Sequence, residues 1–145
     1  MSKGNTFENE LLEHIFNNAT IANIGDATGL RGSSTAGSLY VSLHTADPGE
    51  GGSQTTNECA YTSYARVALA RDGSDVTVTG NSAAFAADVD FPAATGGTET
   101  ATHFAIGTAS GGAGKILYKG TVTPNIAISS GVTPRLTDGT TITED

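Results

Sequence analysis

Tryptophan is absent from this chain of 145 residues, and aromatic side chains make up only 6% of it. There is one methionine, and hydrophobic residues amount to 37%. Large apolar side chains fill most cores and line most ligand clefts, so this composition argues against an enzyme built around a large-residue core. Basic residues are also scarce, at seven against fifteen acidic ones, for a net charge of −8. The seven are scattered: Lys3, Arg31, Arg66, Arg71, Lys115, Lys119 and Arg135. Binding to phosphate backbones needs a basic face, so a nucleic-acid partner is not expected. Cys59 is the only cysteine, which excludes an intrachain disulfide and a zinc site built on cysteines. No apolar run approaches the roughly 20 residues of a membrane-spanning helix, and no charged-then-apolar leader opens the chain. A soluble protein is expected, with no membrane partner and no dependence on an oxidising compartment.

Small residues take the place of large ones. Glycine alone contributes 19 residues, and Ala, Ser and Thr are abundant. Such a composition suits closely spaced strands joined by many turns. The length suits one domain with a real core. Residues Asn5 to Asn17 carry the one helical pattern, with Phe7, Leu11 and Ile15 on one face and Leu12 and Phe16 beside it. Asn5 and Glu8 have the spacing of a capping box, and Asn17-Asn18 ends the helix. This helix packs on its own domain or docks on a neighbouring subunit. Residues 19–37 read as a glycine-rich arm, either ordered against another molecule or mobile.

From Ser38 the period becomes two. Leu39, Val41 and Leu43 alternate with Tyr40, Ser42 and His44. Ala65, Val67 and Leu69 repeat the pattern, followed by Val76 with Val78, Val89 with Phe91, and Phe104 with Ile106. Strands are also expected over Ile116 to Val122, at Ile126 and Ile128, and over Thr133–Leu136 and Thr140–Thr143. Asp138-Gly139 predicts a hairpin between the last two. About nine short strands with no βαβ rhythm predict an all-β chain. The expected architecture is an antiparallel β-sandwich, jelly-roll-like, with one N-terminal helix. Residues 1–37 form the helix and arm, and 38–145 the sandwich domain.

Candidate chemistry is sparse. Residues 109–116 approach the spacing of a phosphate-binding loop, but Ala109 and Ile116 stand where glycine and a hydroxyl residue are required, and a strand follows instead of a helix. His44, Asp47 and Glu50 would be a metal set only if loop folding joined them. Acids beside Pro and Gly more often form turns. Glu58 beside Cys59 opposes ionisation of the thiol, so Cys59 reads as a small buried hydrophobe. Tyr40, Tyr61 and Tyr64 form an aromatic cluster for a partner, or else pack individually in the core. As strand residues three apart, Tyr61 and Tyr64 would face opposite sides. No catalytic residue, cofactor or metal is expected. The candidate partner contacts are Phe7, Leu11, Leu12, Ile15, Phe16, Tyr40, Asp47, Glu50, Tyr61 and Tyr64.

Several pieces occur in a telling order. They are the helix with Phe7, Leu11, Leu12 and His14, the run Leu39 to Gly51, Tyr64-Ala65-Arg66, Phe91-Pro92-Ala93-Ala94, Thr102 to Gly107, Gly114 to Tyr118, and the ending Thr140 to Asp145. In these the chain resembles a family of small proteins of tailed bacteriophages described as tail-fibre-like or virion structural proteins. The resemblance implies a non-enzymatic virion component, assembled in the bacterial cytoplasm. It would bind the major capsid protein or other virion proteins and form a dimer or trimer. Two placements follow. One is a capsid decoration, or cement, protein that bridges capsid subunits on the outside of the head. The other is a tail-fibre or tail-tip subunit for host adsorption. The missing heptads and fixed-period repeats favour decoration over a long fibre. A small carbohydrate-binding module is a third reading, carried by the loop Asp47 to Thr56 and the tyrosines, and weakened by the missing Trp.

Overall fold

A computed structural model describes residues 2–25 and 29–144. Among the described residues there are one helix, α1 (Asn5–Asn17), and nine strands: β1 (Ser38–His44), β2 (Val67–Ala70), β3 (Val76–Thr79), β4 (Ser82–Phe85), β5 (Val89–Asp90), β6 (Glu99–Gly107), β7 (Ile116–Ile128), β8 (Arg135–Leu136) and β9 (Thr141–Thr143). The class is all-β with antiparallel pairing and one N-terminal helix, as the alternation predicts. The described strands form three sheets, with strand orders β2-β1-β6-β7, β3-β4-β9 and β5-β8. Among the described residues no helix is long and apolar enough to cross a membrane.

The chain groups into two compact units. The first comprises Met1–Ser38, Leu69–Ala87 and Thr137–Asp145, and the second Leu39–Ala68 and Asp88–Leu136. The first unit therefore joins the helix and arm to two later segments, and the chain passes between the units inside β1, inside β2, after Ala87 and after Leu136.

In the first unit α1 packs on β3 and β4. Leu12 and Phe16, four residues apart on one helix face, are fully buried, and Val76, Ala83, Phe85 and Ile142 of the same unit are buried too. The N-cap is Gly4, with no side-chain cap bond. Asn5 is already helical, so the capping box expected of Asn5 and Glu8 does not form, and Glu8 is instead buried. At the other end Asn18 adopts a left-handed φ of 58°, a conformation Asn tolerates well. Arg71 completes this end. Its Nε donates to the Ile15 carbonyl at 2.5 Å and its Nη2 to His14 O at 2.6 Å. Its Nη1 reaches Ala36 O at 3.0 Å. The Ile15 and His14 oxygens are carbonyls that a helix C-terminus leaves without partners, and the bond to Ala36 ties the arm to the same end. The described part of the arm folds back on itself, with Ile21 and Leu30 exchanging two backbone hydrogen bonds of 2.8 Å. Ile21 is buried.

The strand β4 lay unread in the sequence, since Ala83 and Ala84 carry little strand signal. Asn81 with Gly80 turns the chain between β3 and β4, with Thr79 opposite Ser82. The expected hairpin at Asp138-Gly139 does not form. β8 pairs with β5, and β9 pairs with β4. A turn is present, since Thr140 N donates to Thr137 O at 2.9 Å, but its two arms belong to different sheets.

In the second unit β1 lies inside its sheet, paired with β6 from Tyr40 opposite Gly107 to His44 opposite His103. Residues Val41 to His44 are all buried, so the strand is covered on both faces. This is the pattern of a central strand, not of one with a solvated face. The strands expected at 116–122 and 126–128 are one, β7, with its register to β6 shifted between Ala101 and His103.

Candidate functional site

The features that stand out in the second unit are two loops and the polar side chains that fix them. The acidic loop 45–57 leaves β1 at His44. It closes at its base, where Thr45 N donates to Asn57 O at 2.8 Å and Cys59 N to Leu43 O at 2.8 Å. Asn57 holds φ 54° there. Within the loop Asp47 Oδ1 accepts from Gly49 N at 2.8 Å, the turn-forming role its Pro and Gly neighbours predict. Lys119 of β7 reaches Asp47 Oδ1 at 3.1 Å and Glu50 Oε1 at 3.2 Å. The Gly49 amide, and then Lys119, hold the Asp47 carboxyl below its usual range. Glu50 is 94% exposed. The two candidate acids are thus bridged by a cation of their own chain.

His44 does not join them. It is fully buried, and both ring nitrogens are engaged, Nδ1 with Thr56 O at 2.8 Å and Nε2 with Ser42 Oγ at 2.9 Å. A carbonyl only accepts, so Nδ1 carries the proton of the neutral ring and Nε2 accepts from the Ser42 hydroxyl. Burial lowers the His44 pKa, outweighing the Thr56 carbonyl and Glu58, which raise it. The imidazole ties the acidic loop to the sheet, and the set His44, Asp47 and Glu50 does not converge on a metal.

The second loop is the glycine-rich segment 108–114 between β6 and β7. It is held from beneath. Arg66, whose side chain is 3% exposed, donates from Nη1 to Ala109 O and from Nη2 to Gly112 O, each at 2.8 Å. Its Nε and Nη2 also bind the two oxygens of Glu58, at 2.6 and 2.8 Å. Gln54, fully buried, accepts from Ala109 N at 3.0 Å and donates to Tyr40 O at 3.2 Å. Its backbone N donates to Gly114 O at 2.9 Å. A Cβ on either Gly107 or Gly114 would collide with the Gln54 side chain, so both positions must be glycine for the carboxamide to fit. This segment is a pinned hairpin loop.

The tyrosines meet after all. The residues before β2 are not a strand, and Ser63 at φ 84° turns the chain there. Tyr61 and Tyr64 therefore face each other edge-on at 5.3 Å, where strand geometry would set them apart, and Tyr64 stacks on Phe91 at 6.3 Å. Tyr61 is 4% exposed, and its hydroxyl donates to Pro92 O at 2.8 Å. Burial pushes its hydroxyl up to about 12. Tyr64 Oη donates to Glu58 Oε1 at 2.9 Å and accepts from Leu43 N at 3.1 Å. Tyr61 is core and Tyr64 is half-buried beside it, both with satisfied hydroxyls, and Tyr40 is half-buried as well. Cys59 is buried beside them, its thiol pushed up to about 12 by burial first and then by Glu99 and Glu58. Glu99 in turn accepts from Ala60 N and Tyr61 N, each at 2.9 Å.

Of the helix candidates, Leu12 and Phe16 are consumed by the first unit's own core. Leu11 and Ile15 are half-buried, and Phe7 is 37% exposed. Sequence reasoning missed Arg66, Glu58, Gln54, Glu99 and Arg71. Arg66, Gln54, Glu99 and Arg71 act on backbone far away in the chain, Glu58 acts through Arg66 and Tyr64, and the one local signal is an Arg set into an otherwise apolar alternation at 65–69.

Over residues 2–143 the chain matches the family model described as Podophage GP4 fiber I protein gp80. The chain belongs to this family. It is thus a structural protein of a tailed-phage virion, of the fibre kind, and it acts in association with other virion proteins. The resemblance read from the sequence pointed to the same class. No match was found among curated proteins.

Proposed function

We propose that this member of the fiber I gp80 family is a non-enzymatic subunit of a tail fibre or tail tip that takes part in host adsorption. The observation that carries this is the match to a fibre family over residues 2–143. The groups that would be suspected of chemistry have other work. Both His44 nitrogens are tied into the fold, and the Cys59 thiol stays protonated at neutral pH. The exposed tip of the glycine-rich loop is fixed in advance by Arg66 and Gln54, and preorganisation of this kind lowers the ordering cost of a contact. Fibre subunits act as multiple copies, and a dimer or trimer multiplies weak contacts. The second reading is capsid decoration, favoured by the lack of heptads and fixed-period repeats.

Antibody-gold labelling of purified virions separates the two. Gold at the tail end supports the fibre reading, and gold spread over the head replaces it with decoration. Particles without label on either overturn both.

A further inference from the structure

The helix α1 carries two lines of residues spaced by four, each with large apolar side chains. Glu8, Leu12 and Phe16 form the line that is buried in the first unit. Phe7, Leu11 and Ile15 are also spaced by four, which sets them in a second line about 100° around the helix. That second line is incompletely covered. Leu11 and Ile15 are half-buried, and Phe7 at 37% is, with Leu30, one of two exposed large hydrophobics among the described residues. A helix needs one apolar face to hold it on its own domain, and the Leu12–Phe16 line already provides it.

Charge decides what covers the second line. The helix contains Glu8, Glu10 and Glu13 and no Lys or Arg. Glu10 stands three positions from Phe7, at the border of the line. A second copy docking through this face would make a self-complementary interface. It would set Glu10 against its counterpart in chains that each carry a net −8, and like charges opposed across an interface cost affinity. A different protein with Lys or Arg at the corresponding edge gains from the same residue.

We propose that the line Phe7, Leu11, Ile15 is the docking surface for another virion protein, one that offers an apolar groove edged by basic residues. This rests on the chain being a virion structural component. The helix would be read by that groove as anchors at i, i+4 and i+8.

The test uses the full chain supplied to phage lacking its own copy, with purified particles assayed by immunoblot. The variants are Phe7→Ser, Phe7→Leu and Glu10→Lys. Phe7→Ser is expected to melt within about 3 °C of the parent, because an exposed substitution has little effect on stability. Its level in particles is expected to fall at least tenfold. Phe7→Leu keeps an apolar anchor and is expected to restore incorporation. Glu10→Lys, which leaves the core untouched, is expected to lower incorporation several-fold. Wild-type levels of Phe7→Ser or of Glu10→Lys in particles overturn the proposal while leaving the virion reading intact. So does a purified parent that is an oligomer in solution and is dissociated by Phe7→Ser, since a second copy then covers the face. Absence of the parent itself from particles overturns the virion reading along with it.

Discussion

Arg66→Met is the most informative single perturbation of the fold. The guanidinium is nearly inaccessible, at 3% side-chain exposure, and its partner Glu58 is at 15%. Removing it leaves the Glu58 carboxylate with Tyr64 as its remaining donor, and strips the donors from Ala109 O and Gly112 O. Breaking one side of a buried, hydrogen-bonded ion pair costs about 3–5 kcal/mol. The Met side chain returns some of the packing of the Arg stem, so the lower half of that range is expected. At about 3–4 °C per kcal/mol for a chain of this size, the melting temperature falls by roughly 10–15 °C. Combining Arg66→Met with Glu58→Gln removes the orphaned charge and keeps an acceptor for Tyr64. The pair then costs at least about 1 kcal/mol less than the sum of the two single changes. Thermal unfolding by circular dichroism, with urea midpoints for the four members of the cycle, measures this. A melting temperature for Arg66→Met within about 3 °C of the parent refutes the reasoning, as does simple additivity in the cycle.

Three further outcomes are expected. The folded His44 has its pKa lowered below the ordinary 6.5, so the unfolded chain takes up the proton first. The urea midpoint therefore holds above pH 6.5 and falls as the pH drops below it, and His44→Gln flattens that dependence. With its thiol buried and pushed up to about 12, Cys59 should react with a thiol reagent at pH 8 far more slowly in the native chain than in urea, and comparable rates contradict the placement. Gly114→Ala drives a Cβ into the Gln54 carboxamide and is expected to cost about 2–3 kcal/mol in urea unfolding, whereas Gly111→Ala, at an open position, costs a few tenths at most.

The parts of this fold that were legible are those set by local periodicity. The helix and the alternation in β1, β3 and β6 were legible, because backbone geometry imposes those periods wherever one side is buried, but the helix face was misplaced: the pattern centres on Phe7, Leu11 and Ile15, whereas the flanking Leu12 and Phe16 are the buried pair. β4 was not legible, since alanine has little strand preference and Ala83 is held there by partners on either side, Val78 and Ile142. The turn at Asp138-Gly139 was legible but not its consequence, because a turn signal fixes a bend and says nothing about which strands its arms will join. The loop clamps were the least legible. Arg66 lies 43 residues from Ala109 and Arg71 lies 56 from Ile15, so no local pattern announces which carbonyls either one binds.

The same composition, short of aromatics and rich in glycine, explains why those clamps exist. A segment such as Ser110-Gly111-Gly112-Ala113 has no apolar side chain with which to bury itself, and its backbone polar groups still require partners. In a chain without Trp and with 19 glycines, apolar contacts cannot position such loops. Polar side chains that reach the backbone directly do so instead. Arg66, Gln54, Glu99 and Arg71 each bind main-chain groups remote in sequence. Hydrogen bonding to the backbone fixes a loop without covering it, so its tip stays exposed. That arrangement suits a virion protein whose contacts lie on its surface. It also means that losing a single clamp would free a whole loop, while the sheet beneath keeps its apolar core of Val41, Leu43 and Ile106.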